Sequence, residues 1–197
     1  MPSGPSIIVV SGLPRSGTSM AMRMLEVGGV PILSDGVRRA DEDNPRGYFE
    51  YEPVKHLHQP GHDVAWLAGA RGKAVKIVSF LLTWLPETYD YRVIFMRRDL
   101  SEVAASQEVM IGRRGAAEEA GGGDPRAAYA EHLAQVDRFI ARRACFTRMD
   151  VAYADAVADP RRAAESIAAF LGGGLDAAAM AAAVDPALRR QKNHPGV

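Results

Sequence analysis

Residues 11–20 read SGLPRSGTSM. Gly12 and Gly17 have the spacing of the G-x-x-x-x-G-K-[ST] loop that cradles nucleoside triphosphates. Thr18, however, stands at the lysine position, and the cation comes earlier, at Arg15. That lysine normally reaches the β- and γ-phosphates while the Ser/Thr holds Mg²⁺, so its loss argues against a triphosphate. What remains is a set of backbone amides around Gly17 at a helix start, the hydroxyls of Ser16, Thr18 and Ser19, and the permanently charged fork of Arg15. Such a cradle suits a phosphate that carries no further phosphoryl chain and needs no metal.

A bare pair of glycines would be no more than a turn, so the flanks decide. Ile7-Ile8-Val9-Val10 before the loop is a β-branched run without polar alternation, as in a strand buried on both faces. TSMAMRMLEVGG after it reads as a helix with Met20, Met24 and Val27 on one face and glycines at its end. Further strands are predicted at AVKIVSF (74–80), YRVIFMR (91–97) and FTRMDVAY (146–153). Asp99 predicts a helix cap, with Glu102 completing a capping box. Asp124-Pro125 opens a long helix with Tyr129, Leu133, Val136 and Ile140 on one face, and Asp159-Pro160 opens another that ends at the glycines 172–174. Asp185-Pro186 opens a last short turn. Strands alternating with helices predict an α/β fold with a parallel sheet flanked by helices, a core of the P-loop nucleotide-triphosphate-hydrolase type. Ligands then sit at the carboxyl ends of the strands, at residues 11–19, 76–80 and 97–101.

The 197 residues suit a single domain spanning 1–197, with a glycine-rich link at 113–125 expected to be mobile and a basic tail at 185–197. With 24 Lys+Arg against 24 Asp+Glu, no global charge draws the chain to nucleic acid or an anionic membrane, so an anion site must be local. The single Cys145 excludes an internal disulfide and reads as a small buried residue. The first apolar run is too short for a signal peptide and lacks a basic leader, and no run is long enough to span a bilayer. A soluble, cytoplasmic protein is expected.

PRSGTSM (14–20) resembles the 5′-phosphosulfate loop, P-[KR]-S-G-T-[ST], of the sulfotransferases that use 3′-phosphoadenylyl sulfate (PAPS). In that family an arginine after a strand, with a serine eight residues on, holds the 3′-phosphate; Arg98 and Ser106 match it here. Tyr153-Ala154-Asp155 resembles the family's Y-E-D segment, whose tyrosine lies near the adenine. DNPRGYFEYEPV (43–54) resembles a stretch of short bacterial-type members. The resemblance implies PAPS as co-substrate, 3′,5′-diphosphoadenosine as product, no metal, and binding through Arg15, Ser16, Gly17, Thr18, Ser19, Arg98, Ser106 and Tyr153.

The implied reaction is in-line transfer of a sulfuryl group to a hydroxyl or amine. Negative charge builds on the leaving phosphate oxygen, where Arg15 is the first candidate cation. Lys76, which resembles a family lysine near the sulfuryl group, is the second. Val78 stands where one branch has its histidine base; Glu50 falls where other branches place a glutamate, with Glu52 as backup and His56, His58 and His62 also nearby. Those histidines with Asp63 lack the rest of a metal site. Met20 replaces an aromatic residue that often ends the loop. The family's C-terminal G-x-x-G-x-x-K is missing; Arg189, Arg190 and Lys192 can stand in for it. The shortness of the chain implies few lids over the acceptor pocket. The acceptor is unreadable; Trp66, Trp84 and the 113–125 link can shape its pocket. The alternatives are a small kinase-like phosphotransferase and a non-catalytic nucleotide binder.

Overall fold

The computed structural model describes residues 4–36, 49–113 and 124–188. The predicted link at 113–125 (apart from its ends), residues 43–48 of the DNPRGYFEYEPV stretch, and the basic residues Arg189, Arg190 and Lys192 lie outside the described residues.

Strand β1 (Ile7–Gly12) is followed by the glycine loop and helix α1 (Thr18–Val27). Short helices α2 (Glu52–Lys55) and α3 (Trp66–Gly69) precede β2 (Ala74–Lys76), which leads into α4 (Ser79–Leu82). Then come β3 (Tyr91–Arg97), α5 (Leu100–Arg113), α6 (Pro125–Ala141) and β4 (Phe146–Ala152). Helices α7 (Tyr153–Ala158), α8 (Pro160–Leu171) and α9 (Ala177–Ala182), and a 3₁₀ turn at Pro186–Leu188, complete the order.

The four strands form an all-parallel sheet in the order β2-β1-β3-β4. Burial on both faces is why β1 and β3 read as unbroken apolar runs. The pleat sends Ile7, Val9, Tyr91, Val93 and Phe95 to one face, where they pack with Val54, Leu67, Leu82 and Val136 of α2, α3, α4 and α6. Val10, Ile94, Met96 and Val151 face the other way, against Met22, Ala156, Ile167 and Met180 of α1, α7, α8 and α9.

Two expectations are corrected. The strand predicted over 74–80 ends at Lys76; the Ile77 amide still donates to the Val10 carbonyl at 3.0 Å, but Ser79 then turns the chain into α4. Leu81 packs against the core from α4, whereas Phe80 lies at the surface. On α1 the buried side is Ala21, Met22, Met24 and Leu25, with Met20 and Val27 at its margins, because the helix is covered by both the sheet and α9. The predicted caps at Asp124 and Asp159 each accept a hydrogen bond from the backbone amide of a first-turn residue, Arg126 and Arg162.

Candidate functional site

The chain leaves β1 toward β2 and leaves β3 toward β4, so the sheet's connections part between its two central strands. A crevice forms outside the carboxyl ends at such a point. The glycine loop lines it from β1, and Arg97-Arg98 line it from β3.

The loop is shaped by backbone constraint. Gly12 has φ 147°, and a Cβ there would lie 2.4 Å from Ser16 Oγ and 2.7 Å from the Met96 carbonyl oxygen. Gly17 has φ 101°, and its Cβ would strike the Tyr153 ring at 2.5 Å. Arg15 between them is left-handed at φ 70°, a conformation that costs a non-glycine residue about 1–2 kcal/mol. Ser16 Oγ is buried and has no hydrogen-bond partner, and Thr18 is buried at the first position of α1. Ser19 is half-buried on the next residue.

The second motif meets the first. Arg98 Nη1 donates to the Arg15 carbonyl oxygen at 3.0 Å, and Arg15 Nε donates to Ser106 Oγ at 3.0 Å. The third joins them: the Tyr153 ring, 5% exposed, lies under the Arg98 guanidinium at 4.6 Å and against Gly17. Three stretches far apart in sequence thus share one contact set. Tyr153 is a buried support between loop and cation, not an open platform. A cavity of about 180 Å³ opens beside it, lined by Arg97, Arg98, Asp99, Glu102, Ala152 and Ala154.

Of the two arginines ending β3, only Arg98 turns to the loop. Arg97 lies over Phe95 and pairs with Asp137 of α6 and Asp150 of β4. Arg98 Nε pairs with Glu102 Oε2 at 2.9 Å, both side chains being under a tenth exposed. Asp99 caps α5 as expected, accepting from the amides of Ser101 and Glu102. The Glu102 carboxylate, expected as the other half of a capping box, grips Arg98; spacing alone hid that role.

Lys76 is buried at the end of β2 and in register with Val10, on the α1 side of the sheet. Glu50 lies beyond the outer edge of β2: Ile32 bridges to Ala74, and the Asp35 amide donates to the Glu50 carbonyl. The Glu50 carboxylate pairs with Lys55 at 3.4 Å, and Glu52 pairs with the same lysine at 2.7 Å. The bond to Glu52 and the charges of both carboxylates raise the Lys55 pKa. His56 approaches Glu52 at 3.6 Å and lies 5.6 Å, ring to ring, from His62; His58 is exposed. Trp66 packs edge-on against Tyr51 at 5.4 Å, and Trp84 is 54% exposed after α4. Among the described residues no group of three or more His, Cys, Asp or Glu side chains is placed to hold a metal ion, and no helix is long and apolar enough to cross a membrane.

One neighbourhood carried no local signal in the sequence. His132 of α6 meets Ser79 Oγ through Nε2 at 2.9 Å and stacks on Phe80, with ring centroids 3.9 Å apart and planes 15° apart. Burial lowers its pKa below the ordinary histidine value.

Fold and loop define a parallel α/β protein with a glycine loop between its first strand and first helix. Over 98% of its length the chain is similar to 90% of the sulfotransferase domain from the Synechococcus PCC 7002 olefin synthase, with a TM-score of 0.52 and 16% sequence identity. That is a likeness of fold. No protein-family model and no curated protein sequence matches the chain.

Proposed function

We propose that the protein is a sulfotransferase that moves a sulfuryl group from PAPS to a hydroxyl or amine. One observation carries the reading: Arg98, Arg15 and Ser106 are joined by two 3.0 Å hydrogen bonds across the crevice at the parting of β1 and β3. Two cations at neighbouring strand tips suit a donor with one phosphate at each end of a ribose. Arg98 and Ser106 would hold the 3′-phosphate; the loop, with Ser16, Gly17, Thr18 and Ser19, would hold the 5′-phosphate. The buried, unpartnered Ser16 hydroxyl fits that second role, since it has a donor to offer an anion. Arg15 and the buried Lys76 would stabilise the phosphate oxygen as its bond to sulfur breaks. Tyr153, holding Arg98 in place, would border the adenosine beside the 180 Å³ cavity. The fold likeness to a sulfotransferase domain agrees with this reading.

Calorimetry tests it. The protein should bind 3′,5′-diphosphoadenosine without Mg²⁺, bind 5′-AMP more weakly, and ignore ATP with Mg²⁺. Sulfur-35 label from PAPS should then pass to some members of an acceptor panel of phenols, alcohols and amines. Tight Mg²⁺-ATP binding with indifference to the diphosphate would mean a phosphotransferase, and the proposal would be lost.

A further inference from the structure

The two halves of the crevice differ. Over β3 and β4 stand Arg98, Tyr153 and the cavity beside them. On the other half, a series of polar contacts links α5, α6 and α4. It starts at Arg15 Nε, which donates to Ser106 Oγ of α5. The neighbouring Gln107 accepts from the Tyr129 hydroxyl of α6. One helical turn on, His132 Nε2 meets Ser79 Oγ of α4. Ser79 comes three residues after Lys76, whose strand pairs with β1. The series thus runs from the glycine loop to the segment that follows Lys76 and β2. An adenosine held on the β3–β4 side leaves this side for the acceptor.

Resting on the sulfotransferase reading, we propose that His132, held by Ser79 and Phe80, is the general base that takes the proton from the acceptor. As the acceptor oxygen bonds to sulfur, the sulfur–oxygen bond to the 5′-phosphate breaks. The electron pair leaves on the phosphate oxygen, and the acceptor's proton passes to the imidazole.

Three observations support this. The ring is oriented on two sides, by the 2.9 Å contact to a fully buried serine and by the stack on Phe80. Orientation of that kind is what a base needs before its pKa matters. Its lowered pKa has burial as its cause, with no charged neighbour contributing, so the imidazole is neutral and able to accept a proton at pH 7. Glu50, the competing base, lies past the outer edge of β2 with Lys55 across its carboxylate.

The test compares His132→Gln and Glu50→Gln, with water, ethanol and 4-nitrophenol as acceptors for PAPS. Glutamine keeps a hydrogen bond to Ser79 but takes no proton. With water and ethanol, His132→Gln should lower the rate about 10²–10⁴-fold. With 4-nitrophenol, already an anion at mildly alkaline pH, the loss should stay within about threefold. The acid limb of the wild-type kcat/KM profile, set below the usual histidine value, should vanish. Affinity for 3′,5′-diphosphoadenosine should not change. An equal loss on all three acceptors would make the role structural and overturn the proposal. So would an unchanged His132→Gln rate beside an inactive Glu50→Gln. A wild-type protein that binds the diphosphate yet consumes no PAPS would refute the transfer reading itself.

Discussion

Arg98 donates to the backbone carbonyl of Arg15 at 3.0 Å while its Nε is held by Glu102 at 2.9 Å. The loop is therefore tied to the neighbouring strand by a cation whose own carboxylate partner is only 3% exposed. A buried pair of this kind adds little stability as a pair, but breaking it leaves a charge stranded.

Arg98→Ala should accordingly do two things. Unfolding free energy should fall by about 3–5 kcal/mol, because Glu102 loses its counter-charge. Discrimination between 3′,5′-diphosphoadenosine and 5′-AMP should fall by about 10- to 150-fold, the equivalent of a charge-assisted hydrogen bond of 1.5–3 kcal/mol. The double variant Arg98→Met with Glu102→Leu should recover much of the stability and none of the discrimination. Calorimetry and urea unfolding of both variants check this. Retained discrimination in either one removes the 3′-phosphate assignment.

Arg15 combines a left-handed backbone with the charge proposed to act on the leaving phosphate oxygen. Arg15→Ala and Arg15→Gly should both slow transfer by about 10²–10³, as other single-donor deletions at developing charge do. They should differ in stability. Glycine adopts φ 70° freely, so the Gly variant should exceed the Ala variant by about 1 kcal/mol. Equal stabilities would mean that the loop relaxes once the guanidinium is gone.

Much of this site was legible because its parts are local signals. Gly12 and Gly17 mark a loop by spacing, the β-branched run marks the strand before it, and Arg98 with Ser106 is a strand-end cation with a serine two helical turns on. The predicted strand at 91–97 holds because burial on both faces leaves an apolar run; the one predicted at 146–153 ends at Ala152 and, lying at the sheet's edge, leaves Thr147, Asp150 and Ala152 exposed. What could not be read depends on non-local packing. Helices α2, α3 and α4 are single turns, too short for any periodicity to show. Ser79-Phe80 looked like strand because an apolar run does not say whether a sheet or a helix covers it. His132 gained its neighbours only when α6 settled on α4.

Gly17→Ala isolates the close approach between loop and Tyr153. Alanine would adopt a poor φ of 101° and drive a methyl to 2.5 Å from the ring. Gly61 provides the comparison: its φ is 74°, with nothing within 4 Å of a Cβ. Gly61→Ala should lower Tm by about 2–4 °C, the effect of roughly 1 kcal/mol in a chain of this size. Gly17→Ala should lower it by about 6 °C or more, since the clash adds to the strain. Similar shifts in a paired thermal scan would mean that Tyr153 swings aside at no cost.

The network around Asp137 sets a pH dependence. Burial alone would raise this carboxyl, but bonds from Arg148 and Arg97, and their charges, outweigh it and lower the pKa. A carboxylate lowered in the folded state contributes stability that is present above its unfolded pKa of about 4. That contribution is lost as pH falls through the lower folded value. Asp137→Asn should therefore destabilise the protein at pH 7, by about 1 kcal/mol or less because the side chain is 41% exposed. The gap to wild type should narrow as the pH falls toward 3. Urea midpoints at both pH values check the sign; a gap that widens in acid would contradict it.

Ser16 separates binding from folding. Its hydroxyl is buried in the loop without a partner, so the free protein carries a desolvated polar group that earns it nothing. Ser16→Ala removes that burden, and Tm should stay level or rise by a few degrees, about 2–4 °C per kcal/mol gained. If the hydroxyl waits for an oxyanion, affinity for 3′,5′-diphosphoadenosine should fall at the same time by about 2- to 10-fold, the net worth of one hydrogen bond. A structural serine would show the opposite pattern, with lower Tm and unchanged affinity. Thermal scans with and without the diphosphate distinguish the two directly: the stabilisation by ligand should be smaller in the variant, although the variant starts from an equal or higher Tm.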